Sequence, residues 1–395
     1  MKDRADPELR RVPLEEVCLN VLAAGMTNNC WDFLSQAPQP PREEAVAAAI
    51  ASLIQIGALT SPHSDETEAG SETLTPLGRH LVKLPVDARI GKMLIFGSLF
   101  KCIDTILTVA ATLSGSQSPF VSFLSENNAA IAAHSSFKHP YSDFLTMVSV
   151  YDAYREADRA GRGRKFCKEK YLNFNALREI GDARHQYAAL LAGIGFLERV
   201  AVDDSKGDTA SPSWRPFNIN AKSEAVLNSV IFSGLYPNVA VVESVSKGKA
   251  LLLHRNERLE IHSSSVNARF PTSPPSLHIA FHEKFGTVNR VSVSSTCFVD
   301  PFAIMLFGPS IEVQHLRRKV CVDGWIDLSI SAKTGVMFRE VRKLVDALLK
   351  SLVDNISSTR DGQSIHELDA IAGLLALRID FPVKKNSDGG GLATI

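Results

Sequence analysis

LTPLGRHLVKLPVDARIGKMLIFGSLFKC, Leu74 to Cys102, is the stretch that decides the fold. Thr75 can cap a helix and Pro76 at its first position gives up no hydrogen bond, so a short helix opens here and Pro85 closes it. A second helix starts at Ala88. Its residues Ile90, Met93, Leu94, Gly97 and Phe100 recur at the three-and-four spacing of a buried stripe. Arg89, Lys92 and Lys101 fall off that stripe and read as a solvated face.

Upstream, Leu14, Val17, Cys18 and Val21 make one helical stripe, and Val46, Ala49, Ile50, Leu53 and Ile54 make another after Pro40-Pro41. Gly57 ends that helix. Ala58–Thr60 and Glu72–Leu74 then read as a two-stranded wing around a polar loop holding Asp65, Glu66 and Glu68. The outline is a winged helix over residues 7–80.

Downstream, residues 81–200 read as helix throughout, with caps at Ser142 and Asn175 and a stripe of Leu177, Ile180, Tyr187, Leu191 and Ile194. After Pro216 the period changes. Val239–Glu243, Ala250–His254, Leu277–Phe281, Val288–Ser294 and Ala303–Phe307 are short, β-branched or aromatic, and bounded by turn residues, which suits a small barrel of the OB type over residues 215–335. Helices follow over 336–380, with Val336–Leu352 amphipathic, and 381–395 read as a disordered tail. The fold class is therefore α+β and multidomain: winged helix, all-α bundle, small β-barrel, C-terminal helix.

Across its 395 residues the chain balances 43 Lys and Arg against 43 Asp and Glu. This balance argues against a generally basic nucleic-acid binder and says nothing about local patches. Between Arg215 and Val320 the sequence carries 12 Lys and Arg against 7 Asp and Glu, an excess of five. The six cysteines are scattered without a CxxC pair, as in reduced intracellular proteins. No apolar run reaches the length of a membrane span, and the first thirty residues lack a signal-peptide core.

Taken together, these segments resemble the region that follows the motor domains in DEAH/RHA (DExH-box) ATP-dependent RNA helicases. Leu74–Cys102 looks like the entry to the ratchet, or helicase-associated, domain. LEEVCLNVL and PPREEAVAAAIASLIQIGAL resemble its winged helix, and SDFLTMVSVYDAYREA and NALREIGDARHQYAALLAGIGF its later helices. GLYPNVA, EIHSSSVNARF, FHEKFGTVNR, DPFAIMLFGP and VDGWIDL resemble successive elements of the OB-fold domain. One departure is Ser263, where many relatives have proline. The resemblance runs from about Pro7 to Leu352.

The motors themselves have no counterpart in the sequence. No GxxxxGK[ST] occurs: Gly91-Lys92 and Gly248-Lys249 both lack the spacing. Asp65-Glu66-Thr67-Glu68 is not a DExH box. Arg159–Arg164 imitates a phosphate-binding arginine motif but follows a ratchet helix. His278 and His282 lack the HExxH order and a third ligand, so no metal site and no catalytic residue are expected. No cofactor is expected in this chain, ATP and magnesium belonging to the motor domains the resemblance implies.

What the resemblance implies is an accessory module that holds single-stranded RNA beside RecA-like motors. Contacts to a moving strand must ignore sequence, which favours Lys, Arg, Ser, Thr and backbone N–H groups. On the barrel these are Ser264, Ser265, Asn267 and Arg269, with Lys284, Thr287 and Arg290 in the FHEKFGTVNR turn. Each has a plainer reading: Ser264 and Ser265 as turn caps, Arg269 as half of an ion pair. Arg162, Arg164, Lys165 and Lys168, near Lys170 and interleaved with Phe166 and Tyr171, form either a second phosphate track or a solvated loop. A non-catalytic protein-interaction or ribosome-binding module is the alternative, a protein activator or ribosomal component then being a partner. The expected location is intracellular, cytoplasmic or nuclear, with organellar import open if an address precedes Met1.

Overall fold

The computed structural model describes residues 8–60, 71–121, 128–199, 212–287, 290–314, 319–328, 330–355 and 362–376. The chain packs as two units, one of residues 1–92 with 346–364, the other of 93–345 with 365–395.

In the first unit three helices, α1 (Glu15–Ala23), α2 (Cys30–Leu34) and α3 (Glu43–Ile56), bury Leu14, Cys18, Val46, Leu53 and Ile56. Gly57 ends α3 at φ +85°, a left-handed conformation that favours glycine. The wing expected after it is present as a bridge between Leu59 and Leu74, with Thr60 N–H donating to the Thr73 carbonyl at 3.0 Å. Its acidic loop, Asp65 to Glu68, lies outside the described residues. Helix α4 (Pro76–Leu81) is capped as expected: the Thr75 hydroxyl accepts from Gly78 N–H at 3.0 Å and donates to the Gly57 carbonyl at 2.7 Å. Gly78 lets α4 lie on the wing, since a Cβ there would sit 2.2 Å from the Ala58 carbonyl oxygen.

Lys92 corrects the expectation of a solvated face. It lies on α5 (Ala88–Leu99), is only 8% exposed, and its Nζ donates to the Ile56 carbonyl at 2.8 Å. Every residue from Gly91 to Phe100 is buried, so the helix is core on all sides and its lysine survives there by meeting a carbonyl at the end of α3. Arg89, by contrast, is partly exposed and pairs with Asp87 at 3.4 Å, while Lys101 departs from the solvated face as Lys92 does, its side chain 15% exposed and paired with Asp369 at 2.7 Å.

The second unit begins as a helical bundle: α6 (Ile103–Ser114), α7 (Asn128–Ser135), α8 (Asp143–Arg159), α9 (Gly163–Lys170) and α10 (Phe174–Gly193). Ser142 caps α8 as expected, accepting from Leu145 N–H at 3.3 Å. Asn173 rather than Asn175 caps α10, accepting from Asn175 and Ala176 N–H, because the apolar period begins a residue earlier at Phe174. The stripe of Leu177, Ile180, Tyr187 and Leu191 is buried. On the same helix Arg184 is 5% exposed, gripping the Asp104 carboxylate and lying 4.9 Å from the Tyr151 ring centroid. Arg155 reaches Asp104 at 3.2 Å from α8. A buried guanidinium of this kind is tolerated because carboxylate, carbonyl and ring together replace its water.

Helix α11 (Glu224–Leu235) leads into a closed five-stranded barrel, in the order β1-β2-β3-β5-β4. Its strands are β1 (Val239–Ser246), β2 (Lys249–His254), β3 (Glu257–Ile261), β4 (His278–Thr287) and β5 (Arg290–Val299). Successive strands pair antiparallel except β3 with β5, whose parallel contact at Glu260↔Ser292 and Ile261↔Val293 closes the barrel. Its interior holds Ala240, Val242, Leu252, Leu259, Ile279, Phe281, Val293 and Phe298.

Ala303–Phe307, expected as a strand, is helical instead, within α12 (Pro301–Phe307). Asp300 accepts from Phe302 N–H at 2.8 Å and Pro301 takes the first helical position, a start signal that outweighs β-branched composition. All seven residues are buried, and a short run that is apolar on every side shows no period by which strand and helix differ. Beyond it a separate three-stranded sheet forms from β6 (Ile311–Gln314), β7 (Lys319–Val322) and β8 (Ile326–Leu328). Trp325 and Asp323 at its turn meet the barrel: the Asp323 carboxylate accepts from the Tyr236 hydroxyl and from Trp325 Nε1 at 3.3 Å. Burial, with the Asp323 hydrogen bond, pushes the Tyr236 phenol well above its usual range, so it stays a donor.

Helices α13 (Ala332–Asp354) and α14 (Gly362–Ala376) complete the chain. Phe338 of α13 stacks on Phe302 with ring centroids 4.9 Å apart. Among the described residues no helix is long and apolar enough to cross a membrane. The tail expected to be disordered lies outside them.

Candidate nucleic-acid interface

Two hairpins and one loop build a groove of about 700 Å³ on the barrel. Lys247 and Gly248, at φ +51° and +74°, turn β1 into β2, the two left-handed residues of a tight hairpin. That turn sets Ser246 and Lys249 at one end of the groove. The parallel pairing of β3 with β5 sets Glu260 and Ile261 beside Arg290 and Ser292. The loop leaving β3 adds His262, Ser263 and Ala268.

The lining combines two cations, four serines, His262 and one acid, Glu260, with the apolar residues Ala250, Leu251, Ile261 and Ala268. Glu260 Oε2 accepts from Arg290 Nε at 3.0 Å and Nη2 at 2.6 Å. Lys284 pairs in the same way with Glu257, and Arg258 with Glu243 at 3.1 Å. These pairs are exposed and add little to stability, so a phosphate can replace the carboxylate at small cost. Lys247 and Lys249 are exposed at the hairpin and stand without an ion pair among the described residues. Lys249 and Arg290 thus line one groove together with Ser244, Ser246, Ser263 and Ser292.

Of the expected contact residues, the structure brings Arg290 into the groove. Ser264 stands next to it, its hydroxyl 2.8 Å from His262 Nδ1. Lys284 is exposed on β4. Thr287 ends that strand and pairs in register with Arg290, and its side chain lies outside the description. Arg269 is exposed just beyond the loop, with no carboxylate partner among the described residues.

Ser265 and Asn267 are placed differently from the surface position expected of them. They are 7% and 1% exposed, inside a polar joint between the barrel and α8. Ser265 caps a short turn by accepting from Asn267 N–H at 3.1 Å, which is the plainer of its two readings. Asn267 Nδ2 donates to Thr296 Oγ1 at 2.8 Å and to the Tyr141 carbonyl at 3.3 Å. Asp143 completes the joint, one carboxylate oxygen accepting from Val266 N–H at 2.7 Å and the other from Thr296 N–H at 2.7 Å. Burial of polar side chains in so small a volume is affordable because nearly every group finds a partner.

Sequence reasoning missed Lys249, His262 and the serines of β1 and β5. The signal for Lys249 was Ser246-Lys-Gly-Lys, a hairpin turn flanked by lysines, whose Gly-Lys pair drew attention only for failing as a phosphate loop. The β1 serines carried no signal, since the strand's inward and outward faces are not separable from sequence where a register irregularity intervenes between Val242 and Ser244.

On α9 the second basic cluster is exposed throughout. Arg164 covers the Phe174 ring at 5.1 Å, Lys165 reaches Glu169 at 3.9 Å, and Arg162 and Lys168 face solvent. Lys170 lies 6.0 Å from the Phe137 ring centroid. Among the described residues no three His, Cys, Asp or Glu are arranged to hold a metal ion, and burial pushes the Cys102 and Cys297 thiols well up.

Four family models match the chain in the order of its domains. They are the winged-helix part of the helicase associated domain at residues 49–86, its ratchet-like part at 87–147, the oligonucleotide/oligosaccharide-binding fold at 227–311, and the C-terminal domain in RNA helicases at 318–368. The chain carries the accessory C-terminal domains of DEAH/DExH-box RNA helicases. Among relatives of this helicase region, the DExH-box ATP-dependent RNA helicase DExH4, chloroplastic, of Arabidopsis thaliana is 34% identical over 374 residues, 88% of this chain and 26% of its own length. The human ATP-dependent RNA helicase DHX29 is 32% identical over 93% of this chain and 26% of its own. The human ATP-dependent DNA/RNA helicase DHX36 is 32% identical over 88% and 33%. The chain thus spans between a quarter and a third of the helicases it matches.

Proposed function

We propose that this accessory region holds single-stranded RNA through sequence-independent contacts to its backbone, in the barrel groove, while the RecA-like motors of a complete helicase hydrolyse ATP. The observation that carries the reading is the groove's composition: Lys249, Arg290 and four serines line it with a single carboxylate, Glu260, the residue types that meet a phosphate backbone without reading its sequence. The names of the relatives support it, since each is a helicase of RNA or of DNA and RNA. Arg290, already paired with Glu260, must exchange one anion for another, which makes for weak binding and easy release and suits a strand that must move.

The test is a fluorescence titration of the chain with a labelled oligouridylate at low salt. Lys249→Ala combined with Arg290→Ala is expected to weaken binding at least about tenfold, from the loss of two charge-assisted contacts. Unchanged affinity in that double variant sinks the groove as the site. Tight binding of a protein with no RNA affinity at any salt would favour the interaction-module alternative.

A further inference from the structure

Phe285 is the single large apolar side chain that the barrel exposes among its described residues, at 43%. Its backbone lies opposite Ser292, which lines the groove, and its ring meets that of His262, also a lining residue, edge to face at 5.1 Å. His262 is held in place. Its backbone N–H donates to the Val293 carbonyl at 2.9 Å, and its Nδ1 accepts from Ser264 N–H at 3.3 Å with the Ser264 hydroxyl 2.8 Å away. An exposed aromatic ring gains nothing for the barrel's own core, which is filled by Phe281 and Phe298 from the same two strands.

We propose that the groove's rim is a base subsite, in which an unpaired nucleobase stacks on the Phe285–His262 pair while Arg290 leaves Glu260 for the adjoining phosphate. This rests on the RNA-holding reading and specifies it: the groove takes an unstacked nucleotide, its base as well as its backbone. Stacking on an aromatic face is tolerant of sequence, because every base has one, so the subsite adds affinity without specificity. Ser264 acts on this pair by positioning His262, which gives the exposed hydroxyl of that loop a role other than phosphate contact.

The experiment compares two ligands on the full chain: an end-labelled oligouridylate and an abasic ribose-phosphate strand of equal length, each by fluorescence anisotropy. The wild-type chain is expected to prefer the base-bearing strand by roughly tenfold. Phe285→Ala removes that preference and leaves abasic affinity within about twofold, Phe285→Tyr keeps it, and Arg290→Gln weakens both strands alike. A preference that survives Phe285→Ala, or a Phe285→Ala loss equal for both strands while Phe285→Tyr binds normally, overturns the base subsite but leaves RNA holding intact. Failure of the wild-type chain to bind either strand overturns both.

Discussion

His278 lies inside the barrel wall, 7% exposed, with Nδ1 3.2 Å from the Ser276 hydroxyl and Nε2 buried without a hydrogen-bond partner. Burial pushes its pKa down to about 4. Above pH 6.5 the ring is neutral whether the chain is folded or not. Between pH 6.5 and 4 the unfolded chain takes up a proton that the folded chain refuses, so stability falls as the pH falls, by on the order of 3 kcal/mol across the window. His80 and His254, also lowered by burial, act in the same direction. Urea midpoints at pH 7 and pH 4.5 should therefore draw closer together in His278→Leu than in wild type. Equal spacing in the two proteins would show that His278 is not the group responsible. At this scale the sequence said little: the spacing of His278 and His282 argued against a metal pair without saying where either ring lies, and only the closed barrel reveals that His278 is sealed in the wall.

Elements were more legible than residues, and the exceptions have physical causes. Thr75-Pro76, Gly57 and Ser142 act locally, through hydrogen bonds to residues a few positions away, so their caps could be read directly. Lys92, Ser265 and Asn267 are decided by partners distant in the chain: Ile56 for the first, Thr296 and Tyr141 for the others. No local pattern announces such contacts. The joint they expose between α8 and the barrel supports a prediction of its own. Asp143→Ala strips acceptors from the Val266 and Thr296 N–H groups and is expected to cost roughly 3 kcal/mol, with Asp143→Asn costing less because one acceptor remains. Thermal or urea unfolding of the three proteins checks the order. A loss for Asp143→Ala no greater than that of a surface substitution would mean water replaces the carboxylate.

For the chain as a whole, a net charge of zero supplies no overall attraction to a polyanion, so the proposed RNA binding rests on local patches. Binding must then report local contacts alone. If Lys247, Lys249 and Arg290 each hold a phosphate, the logarithm of affinity should fall against the logarithm of salt with a slope of about −2, at roughly 0.7 per phosphate on a single strand. A slope near zero removes phosphate from the groove. A slope beyond about −4 brings the α9 cluster into contact as well. Domain order, by contrast, was legible from periodicity: helical spacing to Arg199, short β-rich segments from Val239, helical spacing again from Val336, although α11 before the barrel gave no separate signal. The groove was not, because it is assembled from four strands, β1, β2, β3 and β5, and a loop, brought together by the parallel β3–β5 closure.

The same carboxylate that binds α8 to the barrel also determines what the groove can do. Asp143 is the first residue of a helix of 17, and its two oxygens hold the loop after β3 and the strand β5, both of which wall the groove. Neither wall can part from the helix without breaking a charged hydrogen bond. Helix, loop and strand are therefore tied at a single carboxylate, at the N-terminal end of a helix about 25 Å long. If the groove holds a nucleotide as proposed, a displacement of α8 would reach it first through these two hydrogen bonds.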